Sequence, residues 1–370
     1  MKADLLPLSE LTEADRRAWR ELADRAVEPN PFFEPDYVLP LAEGFDSTSE
    51  VHLLTVRDGD GSWLCCLPVC LRRRWHKMPL RTLGTWRGHD FFGLLGTPLV
   101  RPDRMPETLA VMLEALPAAE PSASVAVLEW LGSGPVAEAV DAVLADRSPQ
   151  PILFERFERA ALRRRPEPTY LEETLSAKRR RELRRQWRKL GEEAGGEPRT
   201  VELAQEDGCC GRFVALEAAG RKSEVGEPVA ADPAQVSFFG GMCRRFAERG
   251  RLQMLALQVG EETVAMQCNL RAGSTLFALK VAYDERFRRF SPGILLEREA
   301  IEIFHEDPEL DLMDACSAHD NRTINRLWPD RRTVTTVILP AAGLKARSLR
   351  PMLLAGRELR DRRHERKATT

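Results

Sequence analysis

The stretch Ser274–Phe304, STLFALKVAYDERFRRFSPGILLEREAIEIF, constrains this chain more than any other part of it. Its first ten residues alternate with a period of two, and after Asp284 the apolar spacing changes to a period near 3.6. Leu276, Ala278, Lys280 and Ala282 then share one face of a predicted β-strand, and Phe277, Leu279, Val281 and Tyr283 share the other. Such a strand is mostly buried, yet it carries a lysine. Ile294, Leu295, Ile301 and Phe304 form the apolar stripe of a predicted helix, for which Ser291 and Pro292 suit the N-cap and first helical position. A helix start leaves backbone N–H groups unpaired and carries a partial positive charge, and Gly293 lets a diphosphate come close to them. Arg286, Arg288 and Arg289 add charge at the same place. The alternative reading is a well-capped helix with solvated arginines.

A length of 370 residues with 43% hydrophobic content is enough for two domains, each with its own core. No apolar run approaches the roughly 20 residues a membrane span needs, and the opening MKADLLPLSELTEADRRAWRE lacks the layout of a signal peptide, so the expected location is the cytoplasm. The 8 cysteines fit that location as thiols. Cys65-Cys66 and Cys209-Cys210 are adjacent pairs, and no zinc-type spacing occurs, so no structural metal is expected. A net charge of −2 argues against a general polyanion binder and directs attention to local basic segments.

Taken in order, the chain predicts a helix over Leu11–Val27, a break at Asn30–Pro35 and a short helix over Asp36–Glu43. Two strands, Val51–Arg57 and Ser62–Leu71, flank the hairpin signal Asp58-Gly59-Asp60-Gly61. Extended pieces at Leu80–Leu83 and Gly93–Val100 follow. Next come a helix (Arg104–Leu116), a strand (Ser124–Trp130), a helix (Pro135–Leu144) and a strand (Pro151–Phe157). The passage Arg163–Pro168 suits an inter-domain crossing, placing domains at 1–165 and 166–340 with a basic tail or helix over 341–370. A strongly basic helix over Leu175–Glu193 has Leu183, Trp187 and Leu190 on one face and ends at Gly195-Gly196. It reads as a solvated charged face or as an anion-contacting one.

After a strand at Thr200–Leu203, helices at Asp207–Ala219 and Pro233–Arg249 precede three strands, Leu252–Val259, Thr263–Arg271 and Ser274–Ala282. Their tight connections make an antiparallel meander. The helix from Pro292, a strand at Leu310–Asp314, a short helix at Asn321–Leu327 and a strand at Thr333–Leu339 complete it. This order gives an α+β unit with a mixed, mainly antiparallel sheet flanked by helices, and the first half reads as a second copy of it.

Lys280, Tyr283, Asp284, Ser291, Pro292 and Gly293, then Leu295-Leu296, Asp314, Trp328 and Arg331-Arg332, resemble the acetyltransferase domain of the CelD-like proteins named for cellulose biosynthesis, within the GNAT superfamily of N-acetyltransferases. Ser176–Gly191 resembles that family's basic helix, and Phe213–Gly226, with Lys222, its lysine-containing loop. The resemblance spans Tyr170–Leu339; in the first half it is limited to pieces such as Pro31–Tyr37, where it also resembles the tandem arrangement of the Fem peptidyltransferases. It implies tandem GNAT-like domains, the first of them degenerate. The superfamily's acyl-CoA loop reads Arg/Gln-x-x-Gly-x-Gly/Ala. Arg288-Arg289-Phe290-Ser291-Pro292-Gly293 matches it at Arg288 and Gly293 and departs at Ser291, where the first glycine would be.

The resemblance implies that the pyrophosphate of acetyl-CoA or another acyl-CoA sits at Arg288, Arg289, Ser291, Gly293 and Ile294. It also implies that backbone amides of the strand end, Lys280–Ala282 around Val281, hold the thioester carbonyl where that strand splays from the one ending at Asp314. Acyl transfer to an amine needs an unprotonated nucleophile, a stabilised oxyanion and a departing thiolate, and a thiol pKa near ~8.5 permits direct attack without a covalent enzyme intermediate. Asp314 is the favoured base or amine-orienting group, with a salt bridge to Lys280 or an arginine as its alternative. His319 could accept a proton or be an ordinary loop histidine, and Tyr283 stands in for the acid the superfamily often supplies from a tyrosine after that strand. Lys222, Glu217, Lys280 and Asp284 could bind the acceptor or pair structurally. No metal is expected in the chemistry.

Three functions remain in view from the sequence. The first is N-acyl transfer from acyl-CoA to a small-molecule amine. The second is a Fem-like transfer from aminoacyl-tRNA, with the basic helix on RNA. The third is a non-catalytic partner in envelope polysaccharide synthesis. The sequence carries no signal for an oligomeric state.

Overall fold

The computed structural model describes residues 1–45, 47–48, 50–76, 78–88, 92–220, 228–318, 320–340 and 349–358. Along the chain lie β1 (Lys2–Pro7), α1 (Glu13–Asp24), α2 (Pro35–Gly44), β2 (Val51–Arg57), β3 (Trp63–Arg72), β4 (Thr82–Thr85), β5 (Leu99–Val100), α3 (Met105–Ala118), β6 (Val125–Gly132), α4 (Pro135–Leu144) and β7 (Ile152–Arg163). They are followed by α5 (Tyr170–Thr174), α6 (Ala177–Ala194), β8 (Pro198–Glu202), α7 (Cys209–Ala219), α8 (Pro233–Glu248), β9 (Leu252–Val259), β10 (Glu262–Ala272), β11 (Thr275–Tyr283), α9 (Pro292–Glu306), β12 (Leu312–Asp314), α10 (Arg322–Asn325) and β13 (Asp330–Pro340).

Local chemistry sets the boundaries. Thr12 and Asp15 form a reciprocal capping box at the start of α1. The Ser176 side chain accepts from the Arg179 amide to start α6, and Gly195, at φ 77°, ends it in the left-handed conformation that glycine adopts without steric cost. Between β2 and β3 the turn is held by the Asp58 amide donating to the Ser62 carbonyl at 2.9 Å.

The chain forms two compact units. The first comprises Met1–Ala42, Asp46–Glu158 and Thr333–Thr370, the second Glu43–Phe45 and Arg159–Arg332. In the first, β1, β2, β3 and β4 pair antiparallel in that order, β4 runs parallel to β6, and β6 pairs antiparallel with β13. In the second, β8, β9, β10 and β11 pair antiparallel, β11 runs parallel to β12, and β12 pairs antiparallel with the end of β7. Each unit is therefore a mixed sheet with the same order of pairings, and helices flank both.

This repeat corrects the expected division at 165/166. β7 does not stop at Phe157; it continues to Arg163 because its Ala161, Leu162 and Arg163 pair with Asp314, Met313 and Leu312. The closing strand β13 correspondingly pairs from Val334 with β6 and belongs to the first unit. β1 is a further strand that the alternation over so short a segment did not reveal. Of the tail, residues 349–358 are helical, and Leu353 packs with Trp75, Leu80 and Ile338; 341–348 and 359–370 lie outside the described residues.

The core of the second unit is built from Leu295, Leu296, Ile301 and Phe304 of α9, Leu183 and Leu190 of α6, Leu255 and Leu257 of β9, and Met313 and Trp328. Each fully buried leucine contributes about 1.5–3 kcal/mol. Burying one stripe of α6 leaves its arginine-rich remainder outward, as the period of 3.6 requires.

Candidate active site

β11 and β12 pair over only Thr275↔Leu312, Leu276↔Met313 and Phe277↔Asp314, and β11 then runs on to Tyr283 without β12 beside it. Its other edge stays paired with β10, but Cys268 faces Lys280 while Asn269 faces Ala278, so Leu279 is an extra residue in a β-bulge. The two clean faces expected for this strand hold as far as Phe277 and break at the bulge. Beyond it Ala278, Leu279 and Lys280 are all half-buried and Val281 is 44% exposed. A strand edge thus opens beside Asp314, with Val281 at its mouth.

After Tyr283, the Asp284 carboxylate accepts from the Arg286 amide at 2.8 Å and starts a 3-10 turn, Glu285–Phe290, that buries Phe287 and Phe290. Ser291 follows in the left-handed conformation, φ 55° and ψ 53°, and its side chain makes no cap hydrogen bond. The expected side-chain N-cap is therefore replaced by the Ser291 carbonyl, which accepts from the Ile294 and Leu295 amides at 2.9 and 3.1 Å. Pro292 has no N–H, and among the described residues the Gly293 amide donates to nothing. A Cβ built on Gly293 would lie 3.6 Å from both Tyr283 Cδ1 and Val281 Cγ1, which aims this position at the opened edge of β11.

The three arginines of the loop differ in commitment. Arg286 is paired with Asp284 and Glu262, whereas Arg289 pairs with Glu193 of α6 and stacks over Phe290 at 4.8 Å. Arg288 is exposed and has no ion pair among the described residues. A cleft of about 490 Å³ lies between α6 and this loop, lined by Arg185, Gln186, Lys189, Glu192, Glu193, Arg289 and Phe290.

Two of the expected acceptor-binding side chains hold each other. Lys280 Nζ is 2.6 Å from Glu217 Oε1, and Glu217 Oε2 also accepts from the Val229 amide at 2.8 Å. Asp284 is engaged in the turn just described. Tyr283 is half-buried against the core below the Gly293 position. Lys222 and His319 lie outside the described residues.

Asp314 ends β12 fully buried, with Arg159 Nη2 at 2.7 Å, Arg332 Nη1 at 2.9 Å and the Cys316 amide at 3.0 Å. Burial alone would raise its pKa, but the Arg159 and Arg332 charges outweigh burial and hold the carboxyl below the usual range. A carboxylate so stabilised in its ionised form is a poor proton acceptor. The ion pair given as the alternative to a base role is present, with arginines rather than Lys280 as partners. Asp314 instead anchors the turn in which Cys316 adopts φ 51°.

Two residues at this site were not singled out from the sequence. Arg159 is one. The other is Glu297, one helical turn beyond Gly293 on α9, which is buried and accepts from Trp328 Nε1 at 2.7 Å and Gln267 Nε2 at 3.2 Å. Both donors are neutral, and burial pushes its carboxyl up to about 7. The signal available was a charged residue on an apolar stripe, since Glu297 lies three residues after Ile294 and four before Ile301. Among the described residues no three or more His, Cys, Asp or Glu side chains have metal-holding geometry, and no helix is long and apolar enough to cross a membrane.

Residues 177–321 match the model of the acetyltransferase (GNAT) domain. The second unit carries a GNAT-superfamily acetyltransferase domain. No curated protein matches the chain by sequence. Among solved structures, FemX aligns with a TM-score of 0.58 at 10% identity, covering 95% of this chain and 100% of FemX. A conserved protein of unknown function from Bacteroides thetaiotaomicron aligns at 0.53 with 11% identity, over 89% of this chain and 98% of the other. The C-terminal domain of a putative lysylphosphatidylglycerol synthetase from Agrobacterium fabrum aligns at 0.52 with 11% identity, over 88% and 91%. At these identities the likeness is one of fold, and the fold is that of the GNAT domain, with a mixed sheet between helices.

Proposed function

We propose that this chain is a CelD-like N-acyltransferase that moves an acyl group from acyl-CoA, with acetyl-CoA the first candidate, to a small-molecule primary amine in the cytoplasm. The observation that carries the proposal is the juxtaposition of the opened β11 edge with a glycine-bearing helix start: Val281 at 44% exposure stands within a methyl group's contact distance of Gly293. Acyl-CoA supplies an activated thioester whose thiolate leaves readily. The protein's own part is to hold and orient it. The Gly293 amide and the Arg288 guanidinium would meet the diphosphate, and amides of β11 beyond Phe277 would face the thioester carbonyl. The amine would attack from the open edge directly. With Asp314 held ionised by two arginines, Tyr283 is the acid candidate that this chain offers at the opening.

Steady-state kinetics with acetyl-CoA and a panel of primary amines test this reading. Intersecting double-reciprocal lines are expected for direct attack; parallel lines with an acetylated protein intermediate, or no turnover with any amine, contradict it.

A second reading keeps the fold and takes the acyl group from aminoacyl-tRNA. It is favoured by the outward face of α6, where Lys178, Arg179, Arg181 and Arg184 are without ion-pair partners among the described residues. It predicts tRNA binding that weakens steeply with salt; salt-independent or absent binding removes it.

A further inference from the structure

The cleft between α6 and the loop ahead of α9 has so far been given no work. Its volume, about 490 Å³, falls within the range of about 300–1,000 Å³ usual for small-molecule sites. One wall is a stripe of α6. Gln186 and Lys189, three residues apart, share a helix face there, and Arg185, four residues before Lys189, stands beside them. The opposite wall is Arg289 and Phe290, which immediately precede the helix start Ser291-Pro292-Gly293.

Two side chains of this cleft are left unmatched by the protein. Gln186 is only 9% exposed, and its Oε1 accepts from nothing among the described residues. A buried carboxamide oxygen without a donor is costly, and a ligand N–H in the cleft relieves it. Lys189 is exposed and has no ion pair among the described residues. The other charges of the walls are matched: Arg289 pairs with Glu193, Glu192 with Arg188 at 3.4 Å and Arg185 with Glu182 at 2.6 Å. The cleft thus offers one uncompensated cation, one orphaned carboxamide oxygen and a guanidinium stacked on an aromatic ring.

We propose that this cleft takes the adenosine 3′-phosphate end of acyl-CoA, with Lys189 on the 3′-phosphate, Gln186 on the adenine edge and the Arg289–Phe290 wall against the base. The inference rests on the acyl-CoA reading above and places the half of the donor which that reading leaves unplaced, since the diphosphate assigned to Gly293 joins the pantetheine arm to the nucleoside. The chemistry matches group by group. A phosphate monoester carries close to two negative charges at neutral pH, and an ammonium meets it as a point charge. Adenine's exocyclic amino group donates to a carboxamide oxygen while its ring nitrogen accepts from the carboxamide NH2. Guanidinium planes and aromatic rings stack on bases.

Calorimetric titration of the full chain with CoA and with 3′-dephospho-CoA, at one fixed salt concentration, tests it. The wild-type protein should bind CoA at least about tenfold more tightly than 3′-dephospho-CoA. Lys189→Ala should remove that preference, weakening CoA about tenfold and leaving 3′-dephospho-CoA unchanged. Arg244→Ala, which removes an equal charge from the exposed face of α8, should preserve it. Gln186→Leu should weaken both ligands about fivefold with the preference intact. Equal affinity of the wild-type protein for the two ligands, a preference that survives in Lys189→Ala, or unchanged affinities in Gln186→Leu overturns the inference and leaves the acyl-CoA reading standing. Absence of any CoA binding overturns both.

Discussion

The indole Nε1 of Trp328 donates to Glu297 Oε1 at 2.7 Å, beneath the same helix whose first turn presents Gly293. A carboxyl held by two neutral donors, with burial raising its pKa to about 7, makes the stability of this domain depend on pH across the neutral range.

The sign follows from proton counting. Below about 4.5 the group is protonated in both folded and unfolded chains; between there and about 7 the folded chain keeps a proton that the unfolded chain has released. Stability therefore falls as pH rises through that window, by about 3 kcal/mol in all, and levels off above it. Glu297→Gln retains an acceptor for Trp328 and can donate to Gln267 Oε1, which has no partner among the described residues. Urea unfolding at about pH 5 and about pH 8 should show the variant gaining on the wild-type protein at the higher pH; equal pH slopes in the two proteins would contradict this account.

Asp314 behaves in the opposite sense. Its folded pKa is depressed, so its contribution is present above the unfolded value near ~3.9 and is lost as pH falls further. Asp314→Ala removes the buried carboxylate that Arg159 and Arg332 both contact and should destabilise the fold by about 3–5 kcal/mol in denaturant titrations. A catalytic base would instead lose turnover at unchanged stability.

Ser291 stands where the superfamily loop has glycine, and its φ of 55° explains that preference. The left-handed conformation costs a non-glycine residue on the order of 1–3 kcal/mol, more for a β-branched one. Ser291→Gly should leave stability unchanged or raise it by up to about 1 kcal/mol, whereas Ser291→Val should lower it by at least as much. Thermal unfolding compares the three proteins; a stable valine variant would mean that the loop is not held in this conformation.

The strand, loop and helix of Ser274–Phe304 were legible because each carries its own signal: alternation, then Asp284 and Pro292 as punctuation, then an apolar stripe. The bulge at Leu279 was not, because it depends on the register with β10 rather than on the strand's own pattern. The exchange of closing strands between the halves was hidden for the same reason, since Arg163 and Thr333 give no local sign of which edge they will join. Asp314 was found, with an ion pair to an arginine as one of its two readings, but which arginines was not legible. Its strand-end position in an apolar segment was visible, whereas Arg159 and Arg332, 155 and 18 residues away in sequence, are brought to it only by folding.

Calorimetric titration of coenzyme A into the wild-type chain and into Gly293→Ala tests the central claim most directly. A Cβ at Gly293 makes only ordinary contacts with Tyr283 and Val281, so alanine in this first helical turn should cost the fold nothing. The added methyl does occupy the approach a diphosphate needs. The account predicts saturable binding to the wild-type protein, weakened at least about tenfold, or about 1.4 kcal/mol, in a variant of unchanged Tm. Equal affinity in both proteins, or no binding to either, would contradict it.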